Sequence, residues 1–422
     1  MTRIIAKFVD DNGREVTEDS EGHIFIDGVK TLRRFETAGK IYYELHDSPP
    51  ALSDAEIDEL NAKEAEENQA GVDLAISEGF IEIPIWSKNV DGEDIEMTAW
   101  AHPDFEPSCT EGFFERHGMD YNIYVPSYGR AGKAPTIDML QRFKVKNWYA
   151  AVDPSQYEEY RDVYGPEHLI LRDIRFRDPE NVDLLTSVRR PNSMSGTAGI
   201  YNNLLAFSKS LGEKKYWTLD DDFIGLAMKS YKGRIDPDTG EFNPNLDVSP
   251  DEKYDKKNYY RCSNIHEEFG FDYQEFMHWI ESVGNASRNH GFLGLEKFGT
   301  VFSLCVKWKF GTRVYSYYLS DNATQPQHYG AMNNDVIASL EQSKRGMPPG
   351  LFECISYNSM ATQAGNGGLS NQYKALGTLE KGKILIKAQP NFMKITERYS
   401  RIHHTGDFGI NNKLTLKPKS LE

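Results

Sequence analysis

Between Tyr121 and Phe223, strand-like apolar runs and helix-like amphipathic runs take turns, and nothing else in the 422-residue chain restricts its fold so tightly. Ile123–Val125 reads as a strand that breaks at Pro126 into a loop carrying Gly129 and Gly132, followed by a helix over Pro135–Phe143 with proline in its first turn. Trp148–Val152 is a second strand ending at Asp153. Gln156–Tyr164 is a helix stopped by Gly165, HLILRD a third strand, Ala198–Leu211 a helix stopped by Gly212, and KYWTLDDD a fourth strand. Strands separated by helices in this way lie parallel, joined by right-handed crossovers. The expectation is an α/β fold with a Rossmann-like, mostly parallel sheet flanked by helices. Ligands of such sheets gather beyond the C-terminal strand ends, where both the YVPSYGR loop and the aspartates fall.

The fourth strand closes in the run Tyr216 to Phe223, YWTLDDDF, where apolar residues give way to Asp220, Asp221 and Asp222. Three adjacent carboxylates behind a buried strand repel one another unless a cation sits among them. A hard dication, Mg or Mn, prefers carboxylate oxygens, keeps several waters and is commonly completed by the phosphates of a nucleotide. A period of two sets Asp220 and Asp222 on one face. Taken alone, the run reads equally well as an acidic cap on a following helix or as a solvated turn.

A chain of this length has room for two domains. Residues 1–118 read as a small α+β module. Its alternating runs IIAKFV, HIFIDG and KIYYEL, with a hairpin turn at Asp10 to Gly13, precede a helix opened by a Ser53–Glu56 capping box and running to about Glu67. FIEIPIW and IEMTAWA complete it. Residues 119–422 form the larger domain, with a polar insertion at about 229–262 that reads either as a lid or as a surface excursion. No apolar run reaches the ~18 residues of a membrane span. Cys109, Cys262, Cys305 and Cys354 are far apart, without zinc or disulfide spacing, so a soluble, cytosolic protein with free thiols is expected. A net charge of −16 argues against a general electrostatic grip on nucleic acid and leaves room for a local basic groove.

The strand leading into VPSYGRAGK, followed about ninety residues later by YWTLDDDF, resembles the GT-A family of nucleotide-sugar glycosyltransferases. Within it, the pair of motifs is similar to the TET-associated DNA glycosyltransferases of bacteriophages and to the base J glucosyltransferase of kinetoplastids. The resemblance spans roughly residues 120–410. It implies transfer of a sugar from a nucleotide-diphosphate donor, a UDP-sugar first among them, to the hydroxymethyl group of 5-hydroxymethylcytosine or 5-hydroxymethyluracil in DNA. The implied cofactor is Mn or Mg, and a phage enzyme would work in the host cytoplasm.

The same resemblance implies roles for individual residues. Pro126, Ser127, Tyr128 and Arg130 match the loop that cradles the nucleoside, with Tyr128 stacking on the base and Arg130 facing phosphate; an ordinary strand-to-helix turn is the plain alternative. Asp153 falls where such folds hold base or ribose, or else caps the turn at Pro154. Arg189 and Arg190 are placed toward the diphosphate, and Asn202 or Asn203 toward the sugar. Asp222 is the expected metal ligand, with Asp220 holding ribose or a metal-bound water and Asp221 pointing into the fold as a strut. Asp335, at the start of a helix behind Asn333 and Asn334, matches the acid that deprotonates or clamps the acceptor. His403, or His404 beside it, matches a C-terminal histidine that closes the metal shell. Tyr254, Tyr259, Tyr260, Trp308, Tyr315, Tyr317 and Tyr318 lie among Lys and Arg, a mixture that suits flipped bases as well as a packed core. A glycan, protein or small-molecule acceptor, and a catalytically silent binding module, are the other readings.

Overall fold

The computed structural model describes residues 52–87, 94–174, 191, 196–227, 238–239, 270, 272–287, 290–297, 308–352, 355–360, 382, 384–389 and 392–393 with their side chains. It describes the backbone alone at 88, for further strands within 4–44 and 182–189 and at 228–231, 259–262, 353–354, 394–398 and 401–406.

The first six strands, β1 (Ile4–Val9), β2 (Glu15–Asp19), β3 (Ile24–Ile26), β4 (Val29–Thr31), β5 (Arg33–Thr37) and β6 (Lys40–Glu44), form a four-stranded antiparallel sheet and a separate β5–β6 ribbon. Helix α1 (Asp54–Ser77) opens at Ser53 with both halves of a capping box in place. It runs ten residues beyond the expected end at Glu67 because Gly71, a weak helix former, is needed inside it. A Cβ there would stand 1.9 Å from the Pro154 carbonyl oxygen, so glycine lets the helix lie against the turn that follows the second parallel strand. Asn68 reinforces that contact by accepting the Ser155 N–H at 3.0 Å.

The main sheet has twelve strands. Its centre is β9 (Ile123–Pro126), β10 (Trp148–Val152), β11 (Leu169–Leu171) and β14 (Lys215–Leu219), mutually parallel in the order β11-β10-β9-β14. Helices α3 (Pro135–Arg142), α4 (Tyr157–Tyr164) and α5 (Ala198–Ser210) supply the crossovers, and a short helix α2 (Phe113–His117) precedes them. On one side β8 (Asp94–Ala101) runs antiparallel to β11 and pairs with β7 (Ile81–Lys88), so a hairpin from before residue 118 continues the sheet. On the other side β19 (Tyr317–Asp321) is antiparallel to β14. Beyond it lie β17 (Leu293–Lys297), β20 (Gly350–Ser359), β15 (Phe223–Tyr231) and β16 (Tyr259–Cys262), with β18 (Trp308–Phe310) also on β20. The short pairs β12 (Val182–Asp183) with β13 (Val188–Arg189), and β21 (Met393–Arg398) with β22 (Arg401–Gly406), stand apart.

Alternation along the central strands divides the core into two layers, as expected for strands buried on both faces. Ile123, Val125, Trp148, Ala150 and Trp217 pack with Leu140 of α3, Tyr160 of α4 and Ile280 of α6 (Tyr273–Ala286). Tyr124, Tyr149, Ala151 and Tyr216 pack on the opposite face with Leu204 and Phe207 of α5 and Ala338 of α7 (Asn334–Lys344). Helices on both faces of a mixed sheet with a four-stranded parallel centre give the α/β, GT-A-like architecture; the antiparallel strands on either side make the sheet as a whole less parallel than the sequence pattern implied. The polar insertion read at 229–262 begins and ends as the paired strands β15 and β16; between them, residues 232–237 and 240–258 lie outside the described residues.

Candidate active site

The strand order decides where a ligand belongs. From β9 the chain crosses to β10 on one side and later to β14 on the other, so the crevice between the C-terminal ends of β9 and β14 is the topological switch point of the sheet. The loop after β9 and the aspartates after β14 form its two lips.

Asp221 turns inward and joins the lips. It is 7% exposed, accepts the Ser127 hydroxyl at 2.7 Å and pairs with the Arg130 guanidinium. The Tyr160 hydroxyl lies 2.7 Å from the Ser127 oxygen and accepts the Arg130 N–H at 3.0 Å, so one tyrosine of α4 fixes both loop residues. Burial raises the Asp221 carboxyl to about 6, against the opposing pull of Arg130 and Ser127. Tyr128 sits on the exposed side of the same loop. Asp153 is buried at the end of β10 and ion-paired with the buried Arg172.

Asp220 continues the β14–β19 ladder by donating its N–H to the Ser316 carbonyl at 2.8 Å, and its carboxylate accepts the Tyr201 hydroxyl at 2.6 Å. Burial raises its pKa, and hydrogen bonds from Ser316 and Tyr201 partly offset the rise. Thr136, in the first turn of α3, donates to the Asp220 carbonyl at 2.5 Å and accepts the Phe223 N–H at 2.8 Å, holding the aspartate turn from beneath.

Asp222 differs from both. Among the described residues no donor reaches its carboxylate, although its own carbonyl accepts the Met360 N–H at 3.0 Å. Burial, then the charges of Asp220 and Asp221, push its pKa up to about 7. A half-buried carboxylate with no hydrogen bond, beside a second one, is a hard-oxygen donor pair of the kind that holds Mg or Mn. Asp335 lies in the first turn of α7, where its carboxylate accepts the Val336 N–H at 2.7 Å. Tyr201, Tyr318 and Tyr357 are held far above the usual tyrosine range by burial, and each also feels the negative charges of Asp220 and Asp335. The left-handed backbone of Ser316 (φ 50°) and Asn333 (φ 60°) places two strained non-glycine residues next to Asp220 and Asp335.

A family model, TET-Associated Glycosyltransferase, matches residues 121–368, more than half of the chain and the whole of this crevice. The chain belongs to that family. Comparisons with curated proteins and with solved structures give no match. Membership makes the protein an enzyme that transfers sugar, in the setting of TET-associated DNA modification, as the two sequence motifs implied. A nucleotide-sugar donor follows from that chemistry.

Other residues of the glycosyltransferase singled out in the sequence fall as follows. Asn202 clamps the backbone of His328, donating at 2.8 Å and accepting at 2.7 Å, while Asn203 is fully buried on α5 and neither of its amide atoms has a hydrogen-bond partner among the described residues. Asn334 donates to the Thr197 hydroxyl at 2.9 Å and so ties α7 to the turn before α5. Arg189 ends the two-residue strand β13, and its side chain, with all of Arg190, lies outside the described residues. His403 and His404 are consecutive on β22, so only one of them can face any given site; their side chains are likewise outside. Tyr317 and Tyr318 are wholly buried and belong to the core, so neither meets a base. Tyr254 and the side chains of Tyr259 and Tyr260 fall outside the described residues.

Three contributors escaped the sequence reading. Tyr201, Ser316 and Lys297 come from α5, the approach to β19 and the end of β17, and no local motif marks them. A separate group with metal-ligating spacing, Asp120, His278 and Glu281, stands before β9, at the end of the central strands opposite the crevice. Its Glu281 is already engaged by Trp217 Nε1 at 2.8 Å and by the Asp120 N–H at 2.7 Å. Among the described residues, no helix is long and apolar enough to cross a membrane.

Proposed function

We propose that this TET-associated glycosyltransferase moves a sugar from a nucleotide-diphosphate sugar, a UDP-sugar first, to the hydroxymethyl group of 5-hydroxymethylcytosine or 5-hydroxymethyluracil in DNA. Its dependence on Mn or Mg, its bacteriophage origin and its work in the host cytoplasm belong to the same reading. The observation that carries it is Asp222, a carboxylate at the switch point with no hydrogen-bond donor among the described residues and a second acid beside it.

Asp222 and Asp220 would hold the metal, with His403 or His404 closing its shell. A bound dication supplies charge stabilisation to the departing diphosphate without proton transfer. Arg130, Ser127 and Tyr160 keep the PSYGR loop rigid through Asp221, so that Pro126 and Tyr128 present a fixed surface to the nucleoside. Asp153 stiffens the neighbouring strand end through Arg172. Arg189 and Arg190 are proposed diphosphate ligands, and Asn203 a residue behind the sugar. The bond from the anomeric carbon to the phosphate oxygen breaks with its electron pair on that oxygen, and the acceptor oxygen bonds to the carbon. In an inverting reaction Asp335 takes the acceptor proton; in a retaining one it clamps the acceptor.

Incubating the enzyme with Mn, a panel of nucleotide sugars and hydroxymethylated or unmodified DNA, followed by mass spectrometry of the nucleosides, tests the reading. A hexose or pentose mass added to hydroxymethylpyrimidine alone is the expected result. Donor hydrolysis without DNA product would move the acceptor to another class.

A further inference from the structure

Glu281 is a carboxylate with no exposed surface, on the buried side of α6. A charge in that position needs a cation as well as hydrogen bonds. Its donors are Trp217 Nε1, which reaches Oε1 at 2.8 Å, and the Asp120 N–H, which reaches Oε2 at 2.7 Å. Among the described residues no lysine or arginine pairs with it. A second carboxylate, Asp120, stands beside it instead, and the one basic side chain that meets either acid is His278, three residues earlier on α6.

One ligand atom from each of the three residues lies within 4.8 Å of the other two. His278 Nδ1 is 3.5 Å from Glu281 Oε2 and 3.8 Å from Asp120 Oδ1, and it is buried without a hydrogen bond among the described residues. An imidazolium shared by two carboxylates would close to about 2.7–2.9 Å. Ligands around a tetrahedral zinc, at bonds of about 2.0–2.2 Å, stand about 3.3–3.5 Å apart, which is nearer the spacing found. The oxygens turned away are held by donors. Asn285 Nδ2 reaches Asp120 Oδ2 at 3.0 Å, and the Tyr121 hydroxyl fixes Asn285 by donating to its carbonyl oxygen at 2.6 Å. Trp217 does the same for Glu281 Oε1, so each carboxylate has an outer partner that orients it. The Asp120 N–H uses one lone pair of Glu281 Oε2 and leaves the other. His278 and Asp120 keep 33% and 28% of their side chains exposed, which gives an ion a way in.

We propose that Asp120, His278 and Glu281 form a structural zinc site that fastens α6 to the start of β9 and, through Trp217, to β14. An imidazole nitrogen with two carboxylate oxygens selects a first-row transition ion over Mg or Ca, and water completes the tetrahedron. The site lies at the end of the central strands away from the crevice, so it serves stability rather than sugar transfer, and it does not rest on the donor reading.

The test uses the full chain carrying Asp222→Asn, treated with EDTA and dialysed, so that the acids of the crevice do not contribute. Zinc is titrated by calorimetry and melting temperature is followed with and without zinc, in this protein and in the same protein carrying His278→Gln or Asn285→Ala; cobalt absorption is recorded without further substitution. One zinc per chain, a melting temperature raised by zinc and the visible bands of four-coordinate cobalt are expected. Zinc affinity should fall at least about a hundredfold in His278→Gln and about tenfold in Asn285→Ala. Absence of zinc uptake and of cobalt bands would make His278 a counter-ion of the two acids and overturn the inference. Zinc uptake unchanged in His278→Gln would overturn it as well, by placing the ion elsewhere.

Discussion

Replacing Asp222 by Asn should stabilise the metal-free protein at neutral pH while abolishing its activity. The carboxyl has a folded pKa near 7 against an ordinary 3.8, so the folded state holds its proton more tightly than the unfolded state does. Stability contributed by the protonated form is complete below about pH 4 and is lost as pH rises through 7. Wild type therefore weakens relative to Asp222→Asn, which cannot ionise, by up to about 1.4 kcal/mol per pH unit across that window. Between pH 5 and 8 the ceiling is about 3 kcal/mol, and relaxation and water entry should leave about 1.5 kcal/mol. Urea unfolding in EDTA at pH 5, 6, 7 and 8 measures the difference directly. A variant destabilised at pH 8, or a gap independent of pH, would mean that the carboxylate has a structural partner, and the reasoning would fail.

Other substitutions separate the supports from the site. Arg130→Met strips Asp221 of its cation inside the fold and should cost about 3 kcal/mol in denaturant unfolding. Tyr201→Phe removes one hydrogen bond to Asp220 and should lower stability by about 1–2 kcal/mol, with a larger loss in Mn affinity than in nucleoside affinity. Gly196 has φ +89°, and a Cβ there would stand 2.2 Å from the Ala331 oxygen, so Gly196→Ala should cost about 2–4 kcal/mol, read as a fall in melting temperature, and loosen the start of α5 from the start of α7.

The crossover pattern was legible because each strand is apolar on both faces and each helix is bounded by proline or glycine. The strand at Lys215–Leu219 follows from that pattern. What the sequence concealed is long-range. Nothing in the spacing of VPSYGR shows that Arg130 reaches a carboxylate 91 residues away, and nothing in TRVYSYYLSD shows that its strand enters the sheet between β14 and β17 and buries Tyr317 and Tyr318 on both faces. Helix α1 outlasts its expected end at Glu67, and the packing of its Gly71 against the Pro154 carbonyl is a contact that no local motif announces.

The central claim is that Asp220 and Asp222 share a dication with the donor diphosphate. Titrating Mn into wild type and Asp222→Asn, each with saturating UDP, and following the free-ion resonance addresses it most directly. The account predicts one UDP-dependent Mn site in wild type and none in the variant. Equal Mn uptake by the two proteins would contradict it.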